Sequence, residues 1–296
     1  MRIQYFNGGL ANQVFQYIFY RHAQLATGNK YTWFLDDSFF FFKDEHNGYE
    51  LEKVFGLKPN LLSRYFSPDA WNHFIENRKN GIGTAQTMLN MGIDIKMIAE
   101  ASNYTTANPF HGPICNISTN EYHPEILDVP GQALYYFGYW INKHWLDKYR
   151  DQILSELSFP PILDAHNLSY ASKIKSTLSV GVHIRRGDFI TLGWEINPET
   201  YHAYCKMLFE SYPELTFFVF SDDILWCKEN ACQLGLSLAK ECIFVEGNTS
   251  GSNYIDLQLM SMCKGLLMSN SSFSYLAALM NNNLQFYINP LTYREV

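Results

Sequence analysis

Residues 176–189 read STLSVGVHIRRGDF, an apolar run that ends in two adjacent arginines and a glycine. Ser176 to Ile184 alternate well enough for a buried strand, and Gly187 offers the permissive backbone on which a strand turns into a loop. Arg185 and Arg186 therefore stand at a strand's carboxyl end, and in open α/β sheets ligands bind in the crevice outside those ends. A guanidinium suits phosphate, because its planar fork makes two parallel charge-assisted bonds and stays protonated at any working pH. The pair is a candidate diphosphate clamp. Taken alone, it reads equally well as two structural cations neutralised by Asp188, Asp222 or Asp223 at a sheet edge.

Outward from this strand the pattern is regular. A helix runs to about 177, the strand spans 178–184, and then come a helix at 198–211, a strand in LTFFVFSDD (215–223) and a helix at 224–234. The strands CIFVEG (242–247), GLLMSN (265–270) and LQFYINP (284–290) follow, separated by helices at 253–263 and 272–281. Strands alternating with ten-residue helices imply a parallel sheet covered on both faces. Upstream, RIQYF reads as a strand, NGGLAN as a glycine turn, QVFQYIFYRHAQLATG as a helix and KYTWFLDD as a second strand. Residues 38–125 look irregular, a helical cap with loops or an acceptor groove. Residues 132–159 read as a strand and one amphipathic helix, stopped by Pro160-Pro161, which marks a linker. Two α/β domains, 1–158 and 159–296, with a cleft between them, are the expected organisation.

Composition narrows the function. Hydrophobic residues make up 47% and aromatics 16% of the 296 residues, which rules out intrinsic disorder. A formal charge of -7 argues against a nucleic-acid binder, which needs a positive field. Any phosphate must meet local charge, and two of the eight arginines are Arg185 and Arg186. No signal-peptide pattern opens the chain and no run of ~18 apolar residues occurs, so a cytoplasmic protein without a membrane span is expected. The six cysteines lack C-x-x-C spacing and read as reduced small hydrophobes. Sequons at Asn103, Asn116, Asn167, Asn248 and Asn270 are given no role. No D-x-D, H-E-x-x-H or paired Cys/His motif suggests a metal.

Three loops fall at expected strand ends: NGGLANQ (7–13), HIRRGDF (183–189) and MSNSSFSY (268–275). Ser271 and Ser272 open a helix, where hydroxyls and amides meet anions, although a plain N-cap is the more frequent use of serine there. The glycines at 8 and 9 lack dinucleotide or P-loop spacing. Asp256 sits on the preceding helix, where a carboxylate could accept the N1 and N2 hydrogens of guanine or merely face solvent.

The blocks GGLANQVFQY, VGVHIRRGDF, FVFSDD and DLQLMSMCKGLLMSNSSFSYLAALMN resemble those of the family-11 glycosyltransferases, inverting α-1,2-fucosyltransferases that use GDP-fucose. They run in the family's order from residue 8 to about 281. The resemblance implies a GT-B fold, with two Rossmann-like domains facing across a cleft and the donor on the C-terminal one. It implies that Arg185 contacts the β-phosphate, that Arg186 supports it, and that His183 approaches the ribose or phosphate. Asp256 would pair with guanine, Ser271 and Ser272 would hold phosphates, Phe273 would pack near the base, and Asn12 would face the transferred sugar. The implied partners are GDP-fucose and a galactose-terminated glycan, with no metal or other cofactor, in the cytoplasm or at the membrane face where glycans are assembled. The general base stays open among Asp36, Asp37, His22 and a loose transition state needing little help. Ala11, where the family usually has Gly, Tyr275-Leu276, where it usually has Trp-Trp, and a short C-terminal tail are departures. Another acceptor or linkage, or an idle carbohydrate-binding protein, are the competing readings.

Overall fold

The computed structural model describes residues 1–101, 114–118 and 121–290. The sequon at Asn103, part of the expected acceptor segment (102–113 and 119–120) and the chain end at 291–296 lie outside them. The chain divides into two compact units, Met1–Ser158 and Phe159–Val296.

The first unit holds a parallel sheet of β1 (Arg2–Tyr5), β2 (Trp33–Asp36), β3 (Ile95–Ala101), β4 (Ile114–Ser118) and β5 (Ala133–Phe137), in the order β2-β1-β5-β3-β4. The segment read as irregular thus supplies two of the five strands. Its β3 takes an inner place, and the alternation IKMIA buries Ile95, Met97 and Ala99 in a core with Ile3, Trp71, Phe74 and Tyr135. The single amphipathic helix expected after β5 is instead two short ones, His144–Asp147 and Arg150–Glu156. The break has a cause: Nδ1 of His22 lies 2.8 Å from the Trp145 carbonyl, and Tyr149 N donates to Leu146 O at 3.0 Å, closing a tight turn. The long helix after β1 begins at Leu10 and ends at Thr27. It starts three residues before the expected position because Gly8, at φ +76°, turns the chain early.

The second unit holds β6 (Leu178–Ile184), β7 (Leu215–Ser221), β8 (Glu241–Phe244), β9 (Gly265–Leu267) and β10 (Phe286–Ile288). All pair in parallel, in the order β10-β9-β6-β7-β8. Strand order therefore leaves β6 in both directions, as in Rossmann sheets, and the β6/β9 boundary is the topological switch point. Val180, Val182, Phe217, Val219 and Leu267 fill one core with Tyr201 and Leu208. On β6 Gly181 has no room for a side chain, since a Cβ there would lie 2.8 Å from Leu266 Cδ2 and 3.3 Å from Cys263 Sγ. Among the described residues no helix is long and apolar enough to cross a membrane.

Candidate active site

β6 delivers its last residues to the carboxyl edge of the second sheet. Arg185 Nη2 donates to Asp188 Oδ1 at 2.7 Å, and its Nη1 lies 3.0 Å from Asp222 Oδ2. Arg186 lies flat over Trp226, 3.5 Å from the ring centroid, and its Nε donates to Asp223 Oδ2 at 3.3 Å. The aspartates offered by the sequence as structural partners are the ones the arginines meet. Gly187 owes its identity to close approach, not to a left-handed turn. It opens the short helix Gly187–Leu192, and a Cβ on it would lie 2.5 Å from Asp222 Oδ2. That lets Asp222 reach in and accept the Arg186 N–H at 2.9 Å.

Across the switch point, the turn after β9 comes beside the end of β6. Ser269 Oγ lies 2.7 Å from His183 Nδ1 and also accepts the Ser271 N–H at 3.2 Å. His183 is buried, and burial, then the Arg185 charge, lowers its pKa to about 3. The ring is thus neutral at working pH, and it braces the serine turn from β6. Ser271 caps the helix Ser272–Met280, accepting the Phe273 N–H at 3.2 Å, and the Phe273 ring lies 5.6 Å from His183. Arg185, His183, Ser271, Ser272 and Phe273 therefore follow neighbouring strands, β6 and β9, at one sheet edge, and His183 joins the two loops.

Asp256 is in the first turn of the helix Tyr254–Met260, which packs against Ser272–Met280. Its Oδ1 accepts from Asn248 Nδ2 at 2.7 Å, and Asn248 and Asn167 exchange two bonds of 2.9 Å each. Burial raises the Asp256 carboxyl to about 7, against the lowering effect of the Asn248 amide. Asn167 and Asn248, given no role from the sequence, hold this carboxylate. Their signal is visible only in space, as two buried amides that satisfy each other.

In the first unit the glycine turn follows β1. Gln13 Nε2 donates to Gly8 O at 2.8 Å and Gly48 O at 2.7 Å, while Gln16 clasps Asn7 through its N–H at 3.0 Å and its Oδ1 at 2.9 Å. Asn12 packs over this turn, its Nδ2 3.0 Å from where a Gly8 Cβ would be. The candidate bases are spent on internal bonds. Asp36 accepts from Thr84 Oγ1 at 2.6 Å and Tyr135 OH at 2.8 Å, and Asp37 accepts from Ser63 N at 2.9 Å. Burial raises the Asp37 pKa and lowers that of His22. Ala11 is helical and buried, so its methyl needs no left-handed backbone. Tyr275 and Leu276 are core residues of their helix. Among the described residues no three His, Cys, Asp or Glu side chains converge as metal ligands would.

Two parallel α/β units, the second with Rossmann strand order and a cation-and-serine edge at its switch point, define the class. The sequence model of glycosyl transferase family 11 matches residues 90–295. The chain belongs to that family. An alpha-1,2-colitosyltransferase of Escherichia coli is 34% identical over 190 residues, 60% of this chain and 62% of its own. The galactoside alpha-(1,2)-fucosyltransferase 2 of Mus musculus is 25% identical over 178 residues, 54% of this chain and 48% of its own. The alignments thus span between about half and three fifths of these curated relatives. The fucosyltransferase NodZ from Bradyrhizobium aligns with 94% of this chain and 92% of its own at 10% identity and a TM-score of 0.48.

Proposed function

We propose that this chain transfers L-fucose from GDP-fucose to the 2-hydroxyl of a terminal galactose, with inversion at C1 and without a metal. The observation that carries the reading is the contact of His183, two residues before Arg185 on the same strand end, with Ser269 of the serine turn at the switch point of a Rossmann sheet in a family-11 chain. In one in-line displacement the galactose O2 bonds to fucose C1 as the C1–O bond to the diphosphate breaks. The O2 proton passes to solvent or a base, and GDP takes the bonding pair. The protein aligns the partners and neutralises the leaving diphosphate.

Arg185 takes that charge. Its ion pair with Asp188 is with a half-exposed carboxylate, 52% accessible, and such pairs are worth only about 0–1 kcal/mol, so phosphate can displace it. Asp222 keeps the fork aimed, Arg186 supports it from its seat on Trp226, and the hydroxyls and amides at Ser271 and Ser272 meet the remaining oxygens. His183 contributes by bracing Ser269 rather than as an acid or base. Asp256 accepts the guanine N1 and N2 hydrogens, and Phe273 packs near the base.

A second reading, colitose as the transferred sugar, is favoured by the 34% identity to the colitosyltransferase. One experiment separates the two: GDP-fucose and GDP-colitose offered in turn with galactose-terminated disaccharides, EDTA present, and the product linkage read by NMR. Fuc-α1,2-Gal without metal establishes the first reading, and product from the colitosyl donor alone establishes the second. GDP binding with no product on any galactoside overturns the galactose acceptor.

A further inference from the structure

The carboxyl edge of the first sheet carries an arrangement that donor chemistry leaves unused. β1 and β5 are neighbours, with Gln4 opposite Tyr136, and strand order leaves β1 in opposite directions, toward β2 and toward β5. This boundary is that sheet's switch point. One residue beyond the last paired position, Tyr5 and Phe137 present rings whose centroids are 4.6 Å apart, and Tyr139 lies 6.4 Å from Tyr5 on the other pairing. Phe137 is 42% exposed and Tyr139 38%.

A lone exposed aromatic needs no explanation, but these are held out by a strained, braced turn. Gly138 between them is pressed against Glu100, where a Cβ would lie 2.6 Å from Oε2. That carboxylate accepts from Tyr139 N at 2.8 Å and from Trp140 N at 3.0 Å. Trp140 has φ +56°, a left-handed conformation that bulky residues rarely adopt. It is pinned by a bond from Nε1 to Gln4 Oε1 at 2.7 Å and by stacking on Phe19 at 4.3 Å. Strain of this kind persists only where its surroundings over-determine it, and it clusters at ligand clamps. A polar group flanks the rings as well: Asn7 Nδ2, fixed by Gln16, reaches the Tyr139 hydroxyl at 3.4 Å.

We propose that Tyr5, Phe137 and Tyr139 form the platform on which the acceptor's sugar ring stacks, with Asn7 and the Tyr139 hydroxyl bonding its rim. Galactose fits this chemistry, because its axial O4 gathers the C3, C4 and C5 hydrogens into one apolar face while the opposite face keeps its hydroxyls. Apolar surface with a few placed polar groups is how small-molecule sites hold and orient a ligand. The inference rests on the galactose-acceptor reading above.

The test uses the full chain with GDP and lactose, reading saturation transfer to the galactose protons by NMR, beside initial rates with GDP-fucose. In the wild type H3, H4 and H5 of galactose should be saturated most strongly. Phe137→Ala and Tyr139→Ala should each lose that pattern and raise the lactose KM about tenfold, equivalent to ~1.4 kcal/mol and the scale of one aromatic pair. GDP affinity and the slow hydrolysis of GDP-fucose should not change. Tyr139→Phe, which keeps the ring, should retain the saturation pattern. Equal saturation in wild type and both alanine variants, or none on H3 to H5 in the wild type, overturns the platform whatever the rates show. A saturation pattern lost in the variants, with no fucosyl transfer by the wild type, keeps the platform and overturns the transferase reading instead.

Discussion

In the proposed reaction, Arg185 is the residue on which the chemistry turns. Arg185→Ala should lower kcat by about 10²- to 10³-fold, the cost of one preorganised donor to a developing anion, with the far-ultraviolet circular dichroism unchanged; near-normal turnover would remove the clamp. Gly187→Ala probes the same loop from behind. A methyl there meets Asp222, which two arginine contacts already hold in place. GDP affinity measured by calorimetry should therefore fall, while an unaltered Kd would show that Asp222 yields freely. Asp256 makes a pH prediction. Its carboxyl is raised from 3.8 to about 7, so the folded state holds a proton that the unfolded state has released. Stability from this group is complete below pH ~4 and is lost as pH rises toward ~7. Asp256→Asn, which cannot ionise, should match the wild type in melting temperature at pH 4 and exceed it at pH 8; the reverse order at pH 8 would refute the burial argument. The same variant should weaken GDP binding, since an amide cannot accept both guanine hydrogens. At this scale the sequence pointed to Arg185 and Arg186 through side-chain type and their place at a strand end, and to Asp256 through its place before the serine turn and the family resemblance. It was silent on Asn167, Asn248 and Ser269, whose neighbours are 81, 81 and 86 positions away.

At the scale of elements, the most legible segments were those with the plainest periodicity. Residues 178–184 and 198–211 form β6 and the Pro198–Ser211 helix with the boundaries that pattern implies. Misreadings fell where a tertiary contact competed with the local rule. The expected helix after β5 is divided where His22 approaches a carbonyl, and β3 was missed although its residues alternate, because its pairing partner β5 lies 38 positions further along the chain (Ile95 opposite Ala133). Close packing at β6 is also testable. Gly181→Ala should cost about 1–3 kcal/mol, the usual range for overpacking a core, read from the denaturant midpoint, because Leu266 of β9, Met260 of the preceding helix and Cys263 between them close on that position. A midpoint unchanged from wild type would mean that these side chains repack without strain.

For the whole molecule, the two compact units have separate cores, so a ligand that belongs to one should protect that one. Hydrogen exchange with saturating GDP should slow amides around 183–188, 248–256 and 269–274 and leave the glycine turn at 7–13 nearly unaffected; protection centred on 1–158 would reassign the nucleotide. By itself, the sequence determined the α/β class, the parallel sheet of the second unit and the place of its arginines. Each of these follows from periodicity and side-chain chemistry, which act over a few residues. Only the tertiary structure decided that His183 is a neutral brace, that Asp36, Asp37 and His22 are bound up internally, that two asparagines hold Asp256, and that three aromatic side chains meet at the edge of the first sheet. Those outcomes depend on burial and on partners distant in the chain, and neither is a property of any short stretch of residues.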